Sequence, residues 1–433
     1  MVEADETKQK AQAKAAGATR AKRPGSPAHG RQADGNSAGR QLGAPGIIAL
    51  VAILSAAPPI ATDLCLPAIP DLPAFFNTGE AEVNFILVAF FFFMAVGTLV
   101  MGPLADKYGR KPVLFASLGL FMVTALACAF CSSIEVVIAL RVVQGIGGGG
   151  MVALGTALVK DCFSGDMRQK VLVVTMAISV VAPMAAPVLG AAILTFTSWQ
   201  GTFVAQTLAG LCAVPLALAL KEPLPESERL SDGVVATLGR LVVVGRNKRF
   251  LLPLLVCAVC TAPYMTYISS ASYIYTGFFQ LDKVTYSLFF AANAALSALG
   301  SYLVIVVQDK VFPRRSLSFA MAASVVSGVL VIAVGPVSPF VFLATFALFT
   351  LAGGFIRPLI TNILLLQQQG DTGSASSLIN TVYTVYGAVG MMAATLPWST
   401  YIFGLGLCVA VAAAFSLVGF LLLGKSKLKI KGL

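Results

Sequence analysis

Residues Gly102–Lys111, GPLADKYGRK, stand between two long apolar runs, Ala81–Met101 and Pro112–Cys131. Gly102 opens a helix end to close approach by another helix. Asp106 places a carboxylate near a membrane surface. Lys107, Arg110 and Lys111 crowd positive charge into a short turn between two spans, and such a turn stays on the cytoplasmic side. Once the side of this turn is fixed, every other segment follows by alternation.

The composition agrees with that reading. The 433 residues are 57% hydrophobic and 11% charged, with a mean hydropathy of +0.85. A soluble domain carries roughly a quarter charged residues, so the chain is an all-α membrane protein. Its formal charge of +11 does not signify nucleic acid. Apart from Arg141, Lys283 and Arg357, every Lys and Arg falls in the tails or in alternate loops, as insertion topology requires. Both termini are therefore expected in the cytoplasm, in a multi-pass protein of the inner (cytoplasmic) membrane. Most of the eight Cys lie in apolar runs as small hydrophobes, and Cys257 and Cys260 read as packing residues. The sole histidine, His29, lies in a tail, which excludes a His-based metal site or proton relay in the membrane. No metal and no cofactor is expected.

Taken in order, residues 1–45 read as a disordered cytoplasmic tail without a cleaved signal peptide. Twelve apolar segments follow, each long enough to cross about 30 Å as a helix. Six lie in 46–220 and six in 250–424. Residues 221–249, opening with KEPLPESER, form a cytoplasmic linker with room for a short surface helix, and 425–433 a basic cytoplasmic tail. Asp309-Lys310 with Arg314-Arg315 echoes Asp106-Lys107 with Arg110-Lys111. Two pseudo-symmetric six-helix bundles facing each other are the build of many carriers.

An ionisable group in hydrocarbon costs a few kcal/mol or more, so each needs a reason. Asp63 lies in PPIATDLCLPAIPDLP, where Pro58, Pro59, Pro67 and Pro70 break or kink the helix. There it is either a proton or cation site, or a carboxylate wetted at the outer mouth or capping a helix end. Arg141 opens ALRVVQGIGGGG, with Gln144 one turn on along the same face. A guanidinium there pairs, faces an aqueous cavity or anchors a neighbouring helix. Pro183, Pro187 and Gly190 share one face of the fifth segment, which suits either joining the bundles or a kinked, close-packed span. Asp106 with Arg110, and Asp161 with Arg168, read as exposed ion pairs. Each is worth about 0–1 kcal/mol, weak enough to act as a conformational latch, or serving topology alone. The small-residue run Gly373-Ser374-Ala375-Ser376 suits docking against Gly102. In the seventh segment Tyr264, Met265, Tyr267 and Tyr273 are candidate substrate contacts, with a lipid-interface aromatic belt as the competing account. No GxxxxGK[ST] loop and no catalytic constellation is present, so neither an ATPase nor another enzyme is expected.

These residues resemble the major facilitator superfamily, and within it the Bcr/CflA drug-resistance exporters. GPLADKYGRKPVL is similar to the superfamily's loop 2–3 motif. ALRVVQGIGGGG is similar to its helix 4 motif at Arg141, Gln144 and Gly145. APMAAPVLGAAI resembles the antiporter motif of helix 5, with Ser179 and Ala191 where that motif prefers glycine. ATDLCLPAIP matches the subfamily at Asp63, Leu66, Pro67 and Pro70. The resemblance implies alternating access in which proton entry drives export of small, mainly apolar drugs. It implies that Asp63 and Arg141 line or couple a central cavity and that Asp106 latches the outward-facing state. Protons, a small-molecule substrate and the lipid bilayer are the expected partners of a monomer. A same-fold carrier for a metabolite such as an amino acid or nucleoside is the alternative. A membrane sensor would need a larger soluble output domain than these loops supply.

Overall fold

The computed structural model describes residues 42–229, 239, 243–307, 313–368, 372–425, 428 and 430. The expectations for the first 41 residues, most of the later linker, the Asp309-Lys310 turn and Gln369–Asp371 lie outside the described residues, as do the side chains of Ser179, Gly373 and Ser374.

Helical rods account for the whole spanning region. In the first half they are α1 (Gly43–Phe76), α2 (Glu80–Tyr108), α3 (Arg110–Cys128), α4 (Ile134–Cys162), α5 (Gly165–Leu194) and α6 (Trp199–Ala219). The second half holds α7 (Lys248–Phe278), α8 (Lys283–Val307), α9 (Pro313–Val334), α10 (Pro339–Leu366), α11 (Thr372–Ala393) and α12 (Tyr401–Lys425). Most are longer than the apolar runs suggest, because their ends continue past the hydrocarbon into polar turns. No strand occurs among the described residues.

Proline explains where the rods break. The α-helical part of α1 ends at Asp63, after Pro58 and Pro59, and continues as a 3₁₀ turn, Leu66–Asp71, that contains Pro67 and Pro70. Each proline removes a backbone donor, so the ladder cannot continue unchanged. In α7 a 3₁₀ turn at Val259–Thr261 precedes Pro263, and the rod resumes at Ala262.

Glycine sets how closely α4 seats on α2. A Cβ on Gly149 would lie 2.1 Å from the Met94 carbonyl oxygen, and one on Gly145 would lie 2.5 Å from that of Phe90. The glycine run, poor for an isolated helix, is what allows these backbones to touch. Thr98 bridges the same contact, donating to the Gly149 carbonyl at 3.2 Å.

Three apolar cores divide the bundle. One is confined to the first half, around Leu50, Leu114 and Leu154. Another is confined to the second half, around Leu254, Leu317 and Ile360. The third joins both halves at the end remote from the Arg110 turn, combining Leu66, Ile86 and Phe203 with Tyr275, Phe290 and Phe346. Thus the halves merge at this end and keep separate cores towards the basic end. Between halves, α5 packs on α8 and α2 on α11.

The glycine contact is testable. Gly149→Ala should cost about 1–3 kcal/mol of stability by overpacking. Gly119→Ala, where a Cβ meets nothing within 4 Å, should leave melting of the detergent-solubilised protein unchanged. Equal melting of the two variants would contradict the packing.

Candidate functional site

Asp63 sits at the C-terminal end of the α-helical part of α1, only 5% exposed. It lines a cavity of about 400 Å³ between the halves, a size typical of small-molecule sites. Among the described residues its carboxylate has no ion-pair partner. The structure thus places Asp63 on the chamber wall and not at a wetted mouth. Pro58, Pro59 and Thr62 line the chamber beside it, with Phe91, Met94 and Pro183 from the same half. Tyr264, Met265, Phe290, Phe349 and Arg357 come from the other.

Arg141 and Gln144 are fully buried within the first half, behind the chamber rather than on its wall. The Arg141 Nε donates to the Ile86 carbonyl of α2 at 3.1 Å, and both terminal nitrogens reach the Ala61 carbonyl of α1 at 3.4 Å. One also donates to Gln144 Oε1 at 2.8 Å, and Gln144 Nε2 donates to Gln206 Oε1 at 3.0 Å. The guanidinium lies 4.2 Å from the Phe90 ring centroid, so carbonyl dipoles and an aromatic face stand in for a carboxylate. Ala61 can serve because the last carbonyls of a helix lack intrahelical donors. Its carbonyl is two residues from Asp63, which ties α4 to the segment that carries the acid.

The face shared by Pro183, Pro187 and Gly190 is divided between partners. Pro183 lines the chamber. The Pro187 carbonyl accepts from Ser287 Oγ of α8 at 3.0 Å, across the halves. A Cβ on Gly190 would lie 2.1 Å from the Leu64 carbonyl oxygen, so α5 also braces the bend in α1.

Of the candidate substrate contacts, Tyr264 and Met265 line the chamber. Tyr267 and Tyr273 do not. Tyr267 stacks on Phe346 at 4.6 Å and on Phe290 at 5.7 Å, and Tyr273 stacks on Tyr401 at 5.1 Å. The π-helical turn over Tyr273–Phe278 and the core shared between the halves take up their rings. Cys257 and Cys260, read as packing residues, are buried but also line the chamber. Arg357 was legible only as a cation near a helix end; nothing in its neighbourhood announced that α10 would turn it to the chamber.

The basic end holds the second group of candidates. Arg110 bonds Asp106 at 2.6 Å and, through Nε, Asp161 at 2.7 Å. The expected pairing of Asp161 with Arg168 is not formed. Arg168 instead donates to the Phe163 and Lys160 carbonyls at 2.8 and 2.9 Å, satisfying acceptors at the end of α4. Arg110, only 6% exposed, is nearer Asp161 and claims it. Among the described residues Gly102 faces Ala153 of α4 and Ala375 lies in the core of the second half; the expected docking of Gly373 and Ser374 lies outside them. Glu222 of the linker was not foreseen as part of this group. It accepts from the backbone N–H groups of Arg110 and Lys111 at 2.7 and 2.9 Å, capping the start of α3. Gly109, at φ 101°, leaves room for it, since a Cβ there would meet Glu222 at 2.8 Å.

A bundle of spanning rods in two halves around a central, partly charged chamber is the build of a membrane carrier for small molecules. The chain belongs to the Major Facilitator Superfamily, whose family model matches residues 48–391. It is similar to a bicyclomycin resistance protein homolog of Haemophilus influenzae, 27% identical over 405 residues, covering 89% of this chain and 98% of the relative. It is also similar to the multidrug resistance protein MdtL of Escherichia coli, 27% identical over 245 residues, covering 56% and 62%. A crystal structure of a D-xylose–proton symporter shares the fold, with a TM-score of 0.69 at 14% identity, over 90% of this chain and 99% of that one.

Arg110 offers a test of the basic cluster. Removing a buried partner leaves opposite charges uncompensated and costs about 3–5 kcal/mol, while an exposed pair is worth about 0–1 kcal/mol. Arg110→Gln should therefore destabilise the protein far more than Asp106→Asn, since the Asp106 side chain is 35% exposed. Similar melting of the two variants would count against the buried role of Arg110.

Proposed function

We propose that the protein exports small, mainly apolar drugs or xenobiotics across the cytoplasmic membrane by alternating access, driven by proton entry. The observation that carries this is the Asp63 carboxylate, unpaired among the described residues, on the wall of a chamber between the halves. A carboxylate there can exchange a proton with the chamber, and its charge changes when it does.

The basic face is assigned to the cytoplasm. The outer end is then closed in this structure by the core shared between halves and by polar contacts across it. Lys283 pairs with Asp71, Tyr401 donates to Glu80, and Ser269 donates to Asn84 at 3.2 Å. The Lys283–Asp71 and Tyr401–Glu80 contacts are exposed and individually weak, so cargo and proton binding can supply the energy that parts them. In the proposed cycle, cargo enters from the cytoplasmic side while Asp63 is ionised. After the bundles rock, a proton from outside neutralises Asp63 and the cargo leaves. Arg141 transmits that change, because it holds the Ala61 carbonyl beside Asp63 and the Ile86 carbonyl of α2 in one grip. Asp106, Arg110 and Asp161 brace the first half at the cytoplasmic rim, and as a latch they would engage when the halves close there. No cofactor is required beyond the proton gradient, and a monomer contains the whole chamber.

Asp63→Asn should insert and melt like the parent protein but lose pH-gradient-driven efflux in proteoliposomes. The expected loss is at least about tenfold. Efflux by this variant that still follows the imposed gradient would remove Asp63 from the coupling.

A further inference from the structure

Among the described residues two charged side chains line the chamber, and they come from different halves: Asp63 on α1 of the first and Arg357 on α10 of the second. The proposed cycle uses only the first. Arg357 is exposed to the chamber, where its guanidinium lies 5.1 Å from the Tyr383 ring centroid. No carboxylate among the described residues pairs with it. A guanidinium that faces a chamber without a counter-charge can take an anionic group of the cargo as its partner. Its planar fork fits a carboxylate or similar acid in two parallel hydrogen bonds. The rest of the lining is largely apolar and includes the rings of Phe91, Tyr264 and Phe290 and the side chain of Met265.

Proton exchange narrows the cargo further. With Asp63 ionised, a simple anion is attracted by Arg357 and repelled by Asp63. Protonating Asp63 would then favour the anion, so proton and anion would travel together. A zwitterion behaves oppositely: it uses both poles of the ionised chamber, and a proton on Asp63 removes one of them. The other titratable lining groups, Tyr264, Tyr383, Cys257 and Cys260, are neutral acids that do not alter this sign. We propose that Arg357 and ionised Asp63 are the two poles of the cargo site, and that the preferred cargo is a small zwitterion with a flat apolar body. Its acidic group lies on Arg357 and its cationic group on Asp63. This inference rests on the proton-exchange reading above.

The test uses the full-length protein in proteoliposomes with an imposed pH gradient. Four probes share one ring system, with the amine and the acid at opposite ends of it: 6-(aminomethyl)-2-naphthoic acid, its methyl ester, its N-acetyl derivative and its uncharged N-acetyl amide. Wild type should move the free amino acid about tenfold faster than the amide at equal concentration, the scale of one charge-assisted hydrogen-bond pair. It should also prefer the amino acid to the ester and to the N-acetyl anion. In Arg357→Gln the ratio of amino acid to amide should fall to about twofold or less, and Arg357→Lys should lie between. Because a glutamine variant can fail to fold, wild type is also assayed alone, by inhibition of amide flux with the amino acid and with the ester. The amino acid should inhibit at the lower concentration. A wild type indifferent to the carboxylate, a preference for the N-acetyl anion, or a ratio unchanged in Arg357→Gln overturns the proposal. So does a lack of flux for all four. Amide flux that ignores the gradient while the zwitterion preference persists supports the two-pole site and sinks the proton-exchange reading. Gradient-driven amide flux without that preference does the reverse.

Discussion

The structure depends on one buried cation. Arg141 has no exposed surface, and no carboxylate among the described residues pairs with it. It is stable there because the bend in α1 frees the Ala61 carbonyl, because the Ile86 carbonyl of α2 is in reach, and because the Phe90 ring faces it. Removing any of these leaves a charge in low dielectric with less compensation. The prolines that end the α-helical part of α1 and the glycines that seat α4 on α2 can therefore be understood together. The first supply the acceptor, and the second bring the guanidinium to it.

From that grip the rest of the site follows. Fixing the Ala61 carbonyl fixes the segment that carries Asp63 to the chamber wall. Gly190 of α5 braces the same bend at the Leu64 carbonyl, and Pro187 of α5 meets Ser287 of α8. Thus the acid is connected through α1 and α5 to the contact between the halves. In the proposed cycle a change of charge at Asp63 would act on elements that already join the two bundles, without a long chain of intermediates.

Much of this was legible in the sequence. The spans, the Gly102–Lys111 turn and the Asp106–Arg110 pair are local features, set by hydropathy and by i, i+4 spacing. The Arg141–Gln144 contact follows from i, i+3 spacing in the same way. Asp63 could be singled out as a carboxylate within an apolar span beside prolines, but a wetted or helix-capping role read equally well there. What could not be read were choices among distant partners. Arg168 and Arg110 both lie within reach of the loop that holds Asp161, and only the packed structure decides that Arg110 takes it. Tyr264 and Tyr267 are three residues apart on one helical stretch, yet one lines the chamber and the other is taken up by Phe290 and Phe346 of the shared core. Glu222 and Arg357 carry no local signature at all. Their partners lie far along the chain, so charge in a linker or near a helix end reads as topology until the bundle is assembled.

The central claim is that cargo and proton compete at Asp63. The most direct measurement is proton release in weakly buffered solution when cargo is added to the detergent-solubilised protein, followed with a pH indicator. Cargo binding should release protons below neutral pH and release fewer as the pH rises, and Asp63→Asn should release none. Cargo binding without proton release, or equal release from Asp63→Asn, would contradict the account.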